Sequence, residues 1–271
     1  MKTIIHVWTH TFNINKDNLE KFNTLNEKEF YFGLGDLIRS TIKLFVLSKK
    51  MNFNLYVDLQ LHPIADFLDI PFNPLSENVL KNKDNIDYVC YGGVEDYINS
   101  HKDNEIMYIL TNDFYHGEIS KNEQDYIKTI LKPNTKFQNY IDLVLAKIPF
   151  DNFNIFHLRI GDDFFHNKQS NISVSELISF VRTTKDKNDI LITDSEVLKK
   201  EIFLNEKIYT LNTYICHLGI ETNKDKIRDT LLEFFLISKS KKIKTLCKIH
   251  QVSGFVKWVS LVYGIELIQF N

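Results

Sequence analysis

Short apolar runs alternate with amphipathic stretches along the whole chain, and this alternation limits the fold more strongly than any other feature. Runs at Thr3–Trp8, Phe53–Asp58, Asp87–Tyr91, Ile106–Thr111, Asn154–Arg159, Asp189–Thr193, Lys207–Leu211, Lys244–Ile249 and Ile265–Phe270 have the length and side-chain content of strands. Between them lie helical stretches at Leu37–Lys49, Ile64–Leu68, Glu123–Leu131, Asn139–Ala146, Ser175–Thr184, Glu196–Phe203, Lys224–Ile237 and Gly254–Tyr263. Strands alternating with helices predict βαβ units, mainly parallel sheets and an α/β fold. One helical stretch stops at Lys147-Ile148-Pro149-Phe150. That divides the chain into residues 1–149 and 150–271, two α/β domains of ordinary size. A central cleft between such halves is a natural place for a substrate.

Local signals mark some helix ends. Ser173 is followed three residues later by Glu176, which fits a capping box. Asp194 is placed to cap the helix that follows it. Ile227, Leu231, Phe234 and Phe235 form a core-facing stripe on Lys224–Ile237. Lys239, Lys241, Lys242 and Lys244 make the one clear basic cluster, read as a solvated turn.

Bulk properties exclude several classes. With 271 residues, 44% of them hydrophobic, the chain has material for one large core or two smaller ones. A formal net charge of −2 with no concentrated basic face argues against nucleic acid as a partner. Cys90, Cys216 and Cys247 are odd in number and far apart, neither a disulfide framework nor a zinc pattern. A reducing compartment follows. The amino-terminal apolar run is too short for a signal peptide, and no stretch approaches a transmembrane span. These observations predict a cytoplasmic protein.

Four short motifs carry chemistry. The first is Phe156-His157-Leu158-Arg159-Ile160-Gly161-Asp162-Asp163, which ends a buried strand in His157, Arg159, Gly161 and Asp162. In open α/β sheets ligands bind beyond the carboxyl ends of strands. An Arg there suits a planar contact with phosphate or carboxylate. The alternative is an interior Arg159 paired with Asp162 or Asp163. The second is Gly33-Leu34-Gly35-Asp36-Leu37-Ile38-Arg39, opening a helix after the first strand. Its glycines allow close approach of an anion to helix amides. It lacks the Lys of a phosphate-binding P-loop and the third Gly of a dinucleotide fingerprint. The alternative is a tight turn with Asp36 as N-cap. The third is Thr193-Asp194-Ser195, where Asp194 could accept from a base or ribose or simply cap a helix. The fourth is Ser253-Gly254-Phe255, before a helix. Ser253 and the amides suit a phosphate, and Phe255 suits either base stacking or the core. His157, Asp162, Asp163 and His166 are near in sequence but lack the spacing of a zinc site.

In order and spacing these motifs resemble those of GDP-fucose-dependent fucosyltransferases, a group including protein O-fucosyltransferases and bacterial α-1,2 and α-1,6 enzymes. The carboxyl half resembles their donor domain, and Gly33-Leu34-Gly35-Asp36 resembles their Gly-x-Gly-Asn or Gly-x-Gly-Asp turn. The chain departs from the group in three places: Ile160 stands where many relatives have a second Arg, Asp36 where many have Asn, and the first motif continues into a second acid, Asp163. The resemblance implies a GT-B fold, two Rossmann-like domains with the amino-terminal one on the acceptor side. It implies an inverting transfer of fucose from GDP-fucose to a glycan or glycoconjugate, without cofactor or metal. Other donors, such as GDP-rhamnose, a UDP-sugar or ADP-heptose, and a non-catalytic binding role stay open. In this reading Arg159, His157 and Asp36 are catalytic. Gly33, Gly35, Arg39, Gly161, Asp162, Thr193, Asp194, Ser195, Ser253, Gly254 and Phe255 bind the donor.

Overall fold

The computed structural model describes residues 1–9, 33–70, 86–89, 92–160, 173–214, 216, 218, 221–247 and 253–270. Gly161, Asp162, Asp163 and His166 lie outside the described residues, as does Cys90. The chain forms two units, Met1–Gln138 with His217–Lys224, and Asn139–Cys216 with Asp225–Asn271. Pro149 had suggested a single cut after residue 149; this grouping instead divides the chain after Gln138 and returns His217–Lys224 to the first unit.

The first unit holds strands β1 (Thr3–Val7), β2 (Asn54–Asp58), β3 (Asp87–Val89) and β4 (Ile106–Thr111), all parallel, in the order β2-β1-β4-β3. Helices α1 (Leu34–Met51), α2 (Val94–Ser100) and α3 (Lys121–Ile130) accompany them, with a 3-10 turn at Pro63–Phe67. Ile4, Leu44, Leu47, Phe53, Val94 and Ile109 meet in its core. Helix α4 (Thr135–Leu145) comes next in the chain.

The second unit holds β5 (Asn154–Arg159), β6 (Asp189–Thr193), β7 (Tyr209–Thr210), β8 (Lys242–Cys247) and β9 (Glu266–Phe270). They too are all parallel, in the order β7-β6-β5-β8-β9. Helices α5 (Val174–Thr184), α6 (Glu196–Glu206), α7 (Lys224–Ile237) and α8 (Gly254–Tyr263) connect them. Parallel sheets are covered on both faces, so β5 and β6 read as nearly continuous apolar runs. Phe156 and Leu158 enter the core formed with Leu177 and Val181 of α5 and Leu198 and Ile202 of α6. The two-residue period of a strand turns His157 and Arg159 to the opposite face. Strand order reverses at β5, whose neighbours are β6 and β8. That reversal is the switch point at which open α/β sheets hold ligands.

Several expectations shift. Helix α1 begins at Leu34, so Asp36 is its third residue and Gly33 the N-cap. The Asp36 carboxylate accepts from Gly33 N at 3.0 Å, near the positive end of the helix. Ser173 does form the expected capping box with Glu176. At α6 the cap is Ser195, whose Oγ accepts from Leu198 N at 3.1 Å, not Asp194. Strand β7 is shorter than expected, and at its amino-terminal side Lys207 is taken up as the cap of α6 in the left-handed conformation, φ 50°. The cluster read as a solvated turn is partly strand: Lys242 and Lys244 lie on β8, and Lys244 is buried. Among the described residues no helix is long and apolar enough to cross a membrane.

Candidate active site

Arg159 is the last residue of β5, at the switch point, and its side chain is 47% exposed. Exposure follows from position: the strand buries its first five residues and releases the sixth. Its Nη1 pairs with Asp194 Oδ2 at 2.9 Å. Asp194 Oδ1 accepts from Ile160 N at 2.8 Å, so one carboxylate ties the end of β5 to the end of β6. Asp194 therefore aims the guanidinium rather than capping α6. An exposed cation held by an anchored carboxylate is suited to a second, incoming anion.

Arg159 lines a cavity of about 60 Å³ together with His157, Thr193, Glu233, Ser253 and Phe255. His157 is buried, and its Nδ1 lies 2.9 Å from Thr245 Oγ1 on β8. Burial, with Arg159 beside it, pushes its imidazole down to about 3. It is a neutral hydrogen-bonding group at this wall, not a second cation. Thr193 Oγ1 accepts from Ser195 N at 3.3 Å, and Ser195 is fully buried as a cap. Both of these position the turn after β6. Ser253 is the N-cap residue of α8, and its backbone N–H donates to Cys247 Sγ at 3.3 Å. Its hydroxyl makes no cap bond. Gly254 is exposed in the first turn of α8. Phe255 packs edge-on against Phe234, ring centroids 5.8 Å apart, and so joins the core while still bordering the cavity.

Gly33, Gly35, Asp36 and Arg39 belong to the first unit. Arg39 Nη2 pairs with Asp36 Oδ1 at 2.9 Å, and its guanidinium lies over the Phe114 ring at 5.1 Å. Burial holds the Asp36 carboxyl above its ordinary range, although Arg39 and Gly33 N pull it the other way. Gly35 is buried in the first turn of α1.

Glu233 escaped sequence reasoning. It sits on α7 inside Leu231-Leu232-Glu233-Phe234-Phe235, and a single acid within an apolar run was the available signal. It is buried, accepts from Thr213 Oγ1 at 2.5 Å, and borders the same cavity as Arg159. Lys199 Nζ donates to Thr213 O at 2.7 Å and supports that contact. Burial pushes the Glu233 carboxyl up from 4.5 to about 7, against the pull of Thr213 and Lys199. A carboxyl raised in the folded state stabilises the fold below its unfolded value and loses that contribution as pH rises through the folded one. Each pKa unit is worth about 1.4 kcal/mol. Between pH 4.5 and 7, Glu233→Gln should therefore gain up to about 3 kcal/mol relative to the wild type. Urea unfolding of both proteins across that window checks this; a constant difference would contradict it. Comparing the two cancels the opposite slope contributed by buried His6 and His157.

No protein-family model matches the chain, and no curated protein matches it. Solved structures do. NodZ α-1,6-fucosyltransferase co-crystallised with GDP aligns over 100% of this chain and 95% of its own, with 10% identity and a TM-score of 0.57. Fucosyltransferase NodZ from Bradyrhizobium aligns over 100% and 95%, with 11% identity and a TM-score of 0.54. A variant of Arabidopsis thaliana FUT1 in complex with GDP aligns over 99% of this chain and 70% of its own, at 9% identity and TM-score 0.52. At such identities the likeness establishes the fold class, GT-B, with two parallel α/β sheets.

Proposed function

We propose that the chain is an inverting glycosyltransferase that moves fucose from GDP-fucose to a glycan or glycoconjugate. The observation that carries this reading is Arg159. It is a half-exposed cation at the switch point of the second unit, aimed by Asp194, on a fold shared with enzymes crystallised with GDP. The second unit is the donor side and the first the acceptor side.

The chemistry follows from charge. An acceptor hydroxyl attacks the anomeric carbon, the carbon–oxygen bond to the β-phosphate breaks, and its electron pair leaves on GDP. Negative charge grows on that phosphate, where Arg159 offers a planar fork. Ser253 and the first amides of α8 receive the adjacent phosphate. Neutral His157 contributes a hydrogen bond at the same wall. Glu233 accepts from polar edges of the donor; it takes the place first read for Asp194, whose oxygens hold Arg159 and Ile160. Asp36, with its raised carboxyl, is our candidate for the proton removed from the acceptor. Gly161 and Asp162 keep their assignment as donor contacts. Arg159 substitutes for a divalent cation, so donor binding needs no metal.

A thermal-shift and titration panel of GDP, UDP and ADP with a chelator present tests the reading. GDP should bind selectively. At a hundredfold excess over Kd it should add about 2.7 kcal/mol of stability. A preference for UDP or ADP, or binding that disappears on chelation, would contradict the donor assignment.

A further inference from the structure

We propose that the carboxyl-terminal turn of α6 and the neighbouring β7 form a docking face for an anionic membrane surface. The residues that carry this face, Lys187, Lys200, Phe203, Leu204 and Lys207, take no part in the site described above; Lys199 and Thr213, which support Glu233, also border one of its hollows.

Helix α6 buries Leu198 and Ile202 toward the sheet. Phe203 and Leu204 lie further round the helix, 52% and 62% exposed. Tyr214 is 58% exposed. Phe203 stands between two open hollows. One, of about 540 Å³, is also bordered by Lys200 and Tyr214. The other, of about 460 Å³, is also bordered by Leu204, Lys187 and Lys207. Phe203 is therefore a ridge rather than the floor of a groove. Ridges of large apolar side chains are what enter the boundary between lipid headgroups and acyl chains.

Charge selects the occupant. Lys187, Lys200 and Lys207 are exposed, and no ion pair engages them among the described residues. Among the described residues Glu196 is the only acid bordering either hollow. The chain as a whole carries a formal charge of −2, so this positive face is local. Lysine stems can lie along apolar surface while their ammonium groups reach headgroup phosphates. Other occupants fit less well. A second copy related by a two-fold axis would bring the same lysines together. Strand β7 has only two residues, too short an edge to recruit a partner strand.

The test is co-sedimentation of the full chain with vesicles of phosphatidylcholine alone or mixed with phosphatidylglycerol. Binding should require phosphatidylglycerol and weaken with salt. Each lysine near such a surface is worth roughly fivefold in partitioning. Lys187→Gln, Lys200→Gln and Lys207→Gln together should therefore lower it roughly a hundredfold. Phe203→Ser with Leu204→Ser should release the protein as well. Melting curves and GDP titration should be unchanged in both variants, and the lysine set keeps the test decisive if the apolar pair misfolds. Absence of binding, equal binding to both vesicle types, or binding indifferent to the lysine substitutions would overturn the proposal. A dimer in sedimentation velocity that is lost in the Phe203/Leu204 variant, without vesicle binding, would also overturn it and assign the face to a second copy.

Discussion

Arg159→Ala should lower GDP release from GDP-fucose by 100- to 1000-fold, about 3–4 kcal/mol of lost transition-state stabilisation. Arg159→Lys should recover little, because an ammonium cannot reproduce the fork toward both Asp194 and a phosphate. Stability should hardly change. The side chain is half exposed, and Asp194 keeps its bond from Ile160 N when the guanidinium is gone. The expected loss of folding stability is about 1 kcal/mol or less. Turnover, GDP affinity and melting temperature on the same variant separate catalysis from scaffolding. Near-normal turnover in a folded Arg159→Ala would end the assignment. A variant that unfolds with its activity would make Arg159 a structural partner of Asp194.

The largest stability effect should come from Lys244. Its Nζ donates to Asp189 at 2.9 Å, Asp186 at 2.7 Å and the Thr184 carbonyl at 2.9 Å. The Asp189 side chain is fully buried. Lys244→Met keeps the volume but strands that carboxylate, which among the described residues retains neutral donors from Asn154 and the Asp186 amide. Breaking one side of a buried pair costs about 3–5 kcal/mol. Adding Asp189→Asn removes the stranded charge, so the double variant should regain much of the loss. Denaturant midpoints of the wild type, both single variants and the double variant measure it. A loss under about 1 kcal/mol for Lys244→Met would show that the pair is effectively solvated.

Lys244 also shows why some of this protein was not legible in its sequence. Four lysines within six positions look like a turn in water, and burial can only be seen once β8 is placed beside β5. Glu233 is similar: its partner Thr213 is twenty residues away, and only the packing of α7 makes the carboxyl buried. Helix α2 was missed because its seven residues bury only Val94 and Ile98, too few to show a helical period. Helix α1 was started late because two glycines look like a loop, yet Gly33 caps the helix and Gly35 packs inside its first turn.

What did follow from the chain alone was the class of fold and the motif that matters most. Apolar runs such as Asn154–Arg159 and Asp189–Thr193 appear as strands with the expected bounds, because strand period and β-branched content are local properties. Placing Arg159 at a strand end was also local. Its partner, its aim and the neutrality of His157 were not, since each depends on which strands become neighbours. Asp194 reaches Arg159 only because β6 pairs with β5, and His157 meets Thr245 only because β8 lies on the other side. The sequence determined which residues could do chemistry. Strand order, a long-range choice set by how the helices cover both faces of the sheet, decided which of them act together.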